Sequence, residues 1–170
     1  MKPFTLIFTF LVVVIFTGCS DTSNVSPSSM QPAFQAVNDN QATILQKGKN
    51  KTSCSVCGMY LPKYYKTNHA SKLKGGEVKQ YCSLHCLIHD NEVNKNDLYH
   101  VMVVDVKSLK FISAQNAYYV VGSDRPGTMS HISKYAFAKR KDADSFAKKY
   151  GGSVMNFYDA YTVAYKDFLR

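Results

Sequence analysis

Four cysteines carry the chemistry that this chain can do in its folded body. Residues 54–59 read Cys-Ser-Val-Cys-Gly-Met, and Cys82-Ser-Leu-His-Cys86 follows. Met59 and His85 stand beside the two pairs, so soft sulfur ligands and a borderline nitrogen ligand are gathered in two short stretches. Thiolates bind zinc and copper(I) well, and thioethers favour copper(I). The pairs fit three readings. A closed four-thiolate zinc site would be structural. A copper(I) site would need only two or three soft ligands, could include Met59, and would stay open for transfer. Structural disulfides are the third, since an oxidising compartment permits them. A thioredoxin-like redox role is weaker, because no strand–helix pattern frames the Cys54–Cys57 pair.

The fifth cysteine has other work. Lys2 opens a positively charged start, an apolar run extends from Phe4 to Phe16, and Phe16-Thr17-Gly18-Cys19 closes it. Such a run is too short for a good spanning helix and fits a secretory signal. Small residues before the cysteine resemble a bacterial lipobox, with cleavage after Gly18 and lipidation of Cys19. Residues 1–18 are then signal peptide. Ser20 follows the cysteine, where Asp would favour inner-membrane retention, so an outer-membrane destination on the periplasmic side is expected. Residues 19–50 are rich in Ser, Thr, Asn, Gln and Pro and read as a lipidated N-terminus and flexible tether. Within it, residues 42–47 could dock as an edge strand.

Residues 51–170 remain for one domain with a modest core. The formal charge of +9 comes from scattered lysines. It reads either as a solvated surface or as a docking face for an acidic partner or membrane surface. Export makes nucleic acid an unsuitable partner. No Ser/His/Asp set, phosphate loop or carboxylate pair argues for an enzyme.

The elements that position the cysteines follow from pattern. Cys54–Cys57 should form a tight turn, with Gly58 allowing the backbone geometry. Strands are expected at Tyr60–Tyr65, Asn68–Lys72 and Glu77–Tyr81, then a helix from Ser83 to Glu92. This helix start places Cys82 and Cys86 four residues apart on one face, opposite the Cys54 turn, in a treble-clef-like arrangement. Strands follow at Val101–Val106, Phe111–Val121 and Ile132–Lys139. Asp142 should cap a helix through Tyr150, and Gly151-Gly152 should end it. A strand at Ser153–Phe157 and a C-terminal helix complete the chain. The order strand, strand, helix, strand occurs twice, which suggests a structural duplication in an α+β fold. His69 and His100 are expected at the surface, and Met102 and Met155 in the core. Met129-Ser130-His131 lies in a Gly/Pro-containing loop; by itself such a methionine is more commonly core.

Several motifs together resemble the NosL family of nitrous oxide reductase accessory lipoproteins. They are the lipobox and polar tether, Cys54-x-x-Cys57-Gly58-Met59, Ala117-Tyr118-Tyr119-Val120-Val121-Gly122-Ser123-Asp124, Gly127-x-Met129-x-His131, and Asp142-Ala143 through Phe146 to Gly151-Gly152. The resemblance implies two small ββαβ units in one compact domain. It implies a copper(I)-binding metallochaperone of the periplasm that supplies apo nitrous oxide reductase, or other copper-assembly proteins, for the copper–sulfide centre. It also implies that Met129 and His131 are ligands beside Cys54, Cys57 and Met59, with a cysteine thiolate from this chain or a partner chain; a homodimer is admitted. The Cys82-x-x-x-Cys86 pair is fuller than that family pattern and resembles the heavy-metal-sensing TRASH-type finger. Zinc is therefore the alternative metal, and a treble-clef metal sensor or scavenger the alternative function. The expected metal set is Cys54, Cys57, Met59, Cys82, His85, Cys86, Met129 and His131.

Overall fold

The computed structural model describes residues 33–170. The signal peptide expected at 1–18, the expected lipidation site Cys19 and the expected tether as far as Pro32 lie outside the described residues. No helix among the described residues is long and apolar enough to cross a membrane.

Two antiparallel sheets form the frame. In the first half, β1 (His69–Leu73) is the central strand between β2 (Val78–Tyr81) and β3 (Leu98–Val104). α1 (Leu84–Glu92) connects β2 to β3, and β4 (Phe111–Ser113) adds an outer strand to β3. In the second half, β5 (Tyr118–Val121) is central between β6 (Lys134–Phe137) and β7 (Ser153–Met155). α2 (Arg140–Tyr150) connects β6 to β7, and α3 (Phe157–Phe168) ends the chain. Each half is therefore a ββαβ unit with its first strand in the middle. This is the expected duplication, visible in topology.

The units share a core. Alternate residues of β5 and β6 point to opposite faces, as strand geometry requires. Val120, Tyr135 and Phe137 pack with Phe146 of α2. Tyr119, Val121 and Ala136 face the larger cluster with Cys54, Cys82, Leu87 and Val103. A parallel bridge between Asp105 and Ala136 joins the sheets, and Val106 N–H donates to the Ala136 carbonyl at 2.9 Å.

Several local expectations are corrected. Tyr60–Tyr65 is no strand; Leu61–Thr67 winds as a 3-10 segment, started by Pro62 in its first turn. Proline fits there because that N–H needs no partner, whereas a strand would lose a ladder bond. The strand expected at Phe111–Val121 is broken by a 3-10 turn at Ala114–Asn116, so its two ends serve different sheets. Lys139, not Asp142, is the N-cap of α2, with no side-chain cap; Asp142 lies in the first turn, where its charge suits the helix dipole. Residues 42–47 form no strand.

Residues 33–50, expected as tether, pack on the domain. Gln35 is buried and its amide donates to the carbonyls of Pro126 and Gly127 at 2.9 and 3.3 Å. Phe34 packs edge-on against Tyr135, and Lys66 sits over its ring at 4.6 Å. His69, expected at the surface, is fully buried: Nδ1 lies 3.0 Å from the Thr67 carbonyl and Nε2 3.1 Å from the Tyr119 hydroxyl.

Candidate metal centre

The Cys54 turn is built by backbone bonds. Cys54 N–H donates to the Met59 carbonyl at 2.8 Å, and Gly58 N–H to the Cys54 carbonyl at 3.0 Å. Gly58 has φ +75°, which a side chain would oppose. Ser55 N–H donates to the Gln80 carbonyl at 3.0 Å and ties the turn to β2. Gln46 completes the support. Its amide donates to the Ser53 carbonyl at 2.6 Å, and its oxygen accepts from the Ser55 hydroxyl and from Gln80 N–H at 2.7 and 2.9 Å. The sequence reading missed Gln46, since one glutamine in a polar stretch carries no visible signal.

The second pair comes from the β2–α1 junction. Ser83 is the N-cap of α1, and its hydroxyl accepts from Cys86 N–H at 3.4 Å. Cys82 therefore precedes the helix and Cys86 lies in its first turn. The four Sγ atoms lie within 4.8 Å of one another, with Cys57 exposed and the other three buried. Cys57 Sγ is 3.5 Å from Cys82 Sγ, which is 3.6 Å from Cys86 Sγ.

The residues fit a soft cation. Sulfurs around a tetrahedral ion with bonds of about 2.3 Å stand about 3.8 Å apart, close to these separations. The acid–base chemistry agrees. Cys82 and Cys86, sharing the pocket with the Cys54 sulfur, pull its pKa far down. The nearby Cys54 sulfur and burial push the Cys82 and Cys86 thiols up. One thiolate is thus readily held, and further thiolates in the same pocket call for a compensating cation.

Met59 is half-buried and packs against the main core beside this turn. His85 does not join the thiolates among the four grouped sulfurs. Its ring stands edge-on to Phe168 at 5.3 Å, and it lines a small crevice with Thr128, Ser130 and Lys134. Burial lowers its pKa, and Asp167 partly opposes that. His85 therefore faces the loop of the second unit.

That loop carries the other motif. Met129 is 41 % exposed with φ +55°, and His131 is exposed. A Cβ on Gly127 would collide with the Ser130 carbonyl oxygen, so the tight turn before Met129 needs glycine. Ser130, between the two candidate ligands, has its hydroxyl 2.5 Å from Asp167 Oδ2. The Lys134 ammonium lies 2.7 Å from Ser130 Oγ, 2.8 Å from the Ile132 carbonyl and 3.3 Å from Asp167 Oδ2. Burial works against the Asp167 charge; Ser130 and Lys134 outweigh it and hold the carboxyl below its usual range, with His131 adding a smaller pull. Met102 and Met155 are half-buried within strands. Tyr99 and His100 stand exposed at an irregularity between β1 and β3.

Comparison with known proteins gives the family. The copper-binding lipoprotein NosL of Stutzerimonas stutzeri is 29 % identical over 162 residues, covering 88 % of this chain and 77 % of the relative. The crystal structure of the copper chaperone NosL from Shewanella denitrificans superposes with a TM-score of 0.52 at 26 % identity, over 66 % of this chain and 92 % of that one. The solution structure of apo-NosL from Achromobacter cycloclastes gives a TM-score of 0.42 at 23 % identity, over 54 % of this chain and 82 % of that one. The NosL family matches residues 46–163, a span that includes the four cysteines, the Met129–His131 loop and both ββαβ units. By that match the chain belongs to the NosL family.

Proposed function

We propose that this protein is a lipid-anchored copper(I) carrier of the periplasm, not an enzyme, with separate places for two kinds of metal binding. The observation that carries the reading is the presentation of Met129. A half-exposed methionine in a left-handed backbone conformation, next to exposed His131, is badly explained by packing. It is well explained by a soft, neutral ligand that cannot form a disulfide. His85 faces the same loop and is a third candidate there. Two or three such ligands leave copper(I) open to capture by a receiving protein. The family match and the names of its relatives support copper as the cargo. Apo nitrous oxide reductase, or another copper-assembly protein, is the proposed recipient. The proposed anchor is Cys19, facing the periplasm from the outer membrane.

The four thiolates fit a second role. Three of them are buried, which suits a retained ion better than a transferred one. We assign zinc or an equivalent thiophilic ion to Cys54, Cys57, Cys82 and Cys86. This cluster also favours the second reading, a treble-clef metal sensor or scavenger.

The test is anaerobic titration of the reduced, full-length protein in detergent with copper(I) and zinc(II), followed by metal analysis. The carrier reading expects both metals to bind together, with copper alone lost on changing Met129. Copper displacing all zinc from the cysteines, with no effect at Met129, would favour the sensor. Cys19→Ala should release the protein from the membrane fraction or leave it unprocessed; unchanged fractionation and acyl labelling would remove the anchor.

A further inference from the structure

We propose that Ser130, Lys134 and Asp167 form a positioning device that presents Met129 and His131 to an incoming soft metal ion. The proposal rests on the reading of Met129 and His131 as copper ligands and deepens it.

The geometry is specific. Lys134 lies on β6, Asp167 in the last turn of α3, and Ser130 between the two candidate ligands. The side chains of Lys134 and Asp167 are 6 % and 7 % exposed, so the ion pair is almost closed to water. An ammonium group has three donors, and here they meet three acceptors: Ser130 Oγ, the Ile132 carbonyl and Asp167 Oδ2. The Ser130 hydroxyl has two acceptors in reach for its own proton, Asp167 Oδ2 at 2.5 Å and the Ile132 carbonyl at 2.7 Å. The backbone on both sides of His131 is thereby fixed to a strand and to a helix end.

Stability alone is a poor reason for these residues. A buried ion pair is often no better than apolar side chains of the same volume. An acidic residue in the last turn of a helix also opposes the helix dipole. Left-handed Met129 adds a conformational cost that only a well-determined surrounding would sustain. An arrangement that is unfavourable on three counts, and that meets at the residue between two ligands, is accounted for by preorganisation. Binding to a preformed pair of ligands avoids the cost of ordering the loop when metal arrives.

The test uses full-length protein in detergent, with methyl-labelled methionine. Lys134→Met with Asp167→Leu removes both charges together and leaves neither orphaned. We expect copper(I) affinity, measured against a competing chelator, to fall at least about tenfold. The Met129 methyl resonance of the metal-free protein should move toward its unfolded position, with zinc content at the cysteines unchanged. Affinity within about twofold of wild type would overturn the proposal. So would lost affinity with an unmoved methyl signal. Ser130→Ala is the milder variant should the double variant fail to fold. It should weaken copper binding and shift the same methyl signal, and a wild-type result in both would equally overturn the device. Met129→Asn is run beside them. If it retains copper(I) affinity, the ligand reading itself fails; if it loses copper while the positioning variants keep it, only the positioning role fails.

Discussion

The hydroxyls of Thr67 and Thr128 meet at 2.9 Å in the interior, the first from the 3-10 segment that leads into β1 and the second from the loop between β5 and β6. Thr67 Oγ1 also lies 2.8 Å from the Cys82 carbonyl, and Thr128 directly precedes Met129. This contact therefore joins the back of the thiolate cluster to the base of the Met129 loop. Burial on both sides excludes water as a substitute partner.

Thr67→Val tests that joint. Valine keeps the shape but has no hydroxyl, so the Cys82 carbonyl and Thr128 lose a buried partner. A loss of about 1–3 kcal/mol in chemical denaturation is expected. A stability unchanged within error would show that the two hydroxyls are satisfied in another way.

The four cysteines should behave as one unit, since their sulfurs share one small volume. Zinc at about one hundred times its dissociation constant should stabilise the folded protein by about 2.7 kcal/mol. Cys54→Ser with Cys57→Ser should abolish this increment, and so should Cys82→Ser with Cys86→Ser. Thermal unfolding with and without a chelator gives the comparison. An increment that survives in either double variant would show that the other pair alone holds the ion.

The duplicated unit was legible because each strand–strand–helix–strand run has its own periodicity and breaks. The two cysteine pairs were legible because a turn and a helix start both have local signatures. What was not legible depends on tertiary position. Tyr60–Tyr65 has strand-like composition, and Pro62 decides against a strand. Gln35 and Gln46 look like tether residues, yet their amides act as substitutes for missing backbone partners. In the sequence Lys134 is one position within the strand expected at Ile132–Lys139. Only the fold places Asp167 against it, from a helix 33 residues later. His69 looked like an ordinary surface histidine because nothing local announces Tyr119 as its partner.

His69 gives a pH prediction. Burial lowers its pKa from 6.5 to about 4; the Thr67 carbonyl partly opposes this and Lys134 adds to it. Between about pH 4 and 6.5 the unfolded chain binds the proton more tightly than the folded one. The stability from neutral His69 is thus present above pH 6.5 and is lost as pH falls toward 4. The loss amounts to about 3 kcal/mol between pH 7.5 and 4. Metal-free protein unfolded by urea at the two pH values gives the slope, and His69→Gln should lack this part of it. Equal slopes in the two proteins would remove His69 as the cause.

Met129→Asn separates a ligand from a core residue by moving two observables in opposite directions. At φ +55° a methionine sits where asparagine is more at home. The residue is 41 % exposed, so truncating its side chain leaves little buried volume empty. The substitution should therefore leave thermal stability unchanged or raise it slightly. An isoleucine here would confuse the test, since a branched Cβ resists the left-handed region and would destabilise the loop for unrelated reasons. Copper(I) affinity should fall at least about tenfold, a change of about 1.4 kcal/mol, because an amide oxygen is a hard donor and a thioether a soft one. Chelator competition and a melting curve on the same sample read both quantities. A lower melting temperature with copper binding intact would make Met129 a packing residue and would leave the loop without its principal ligand.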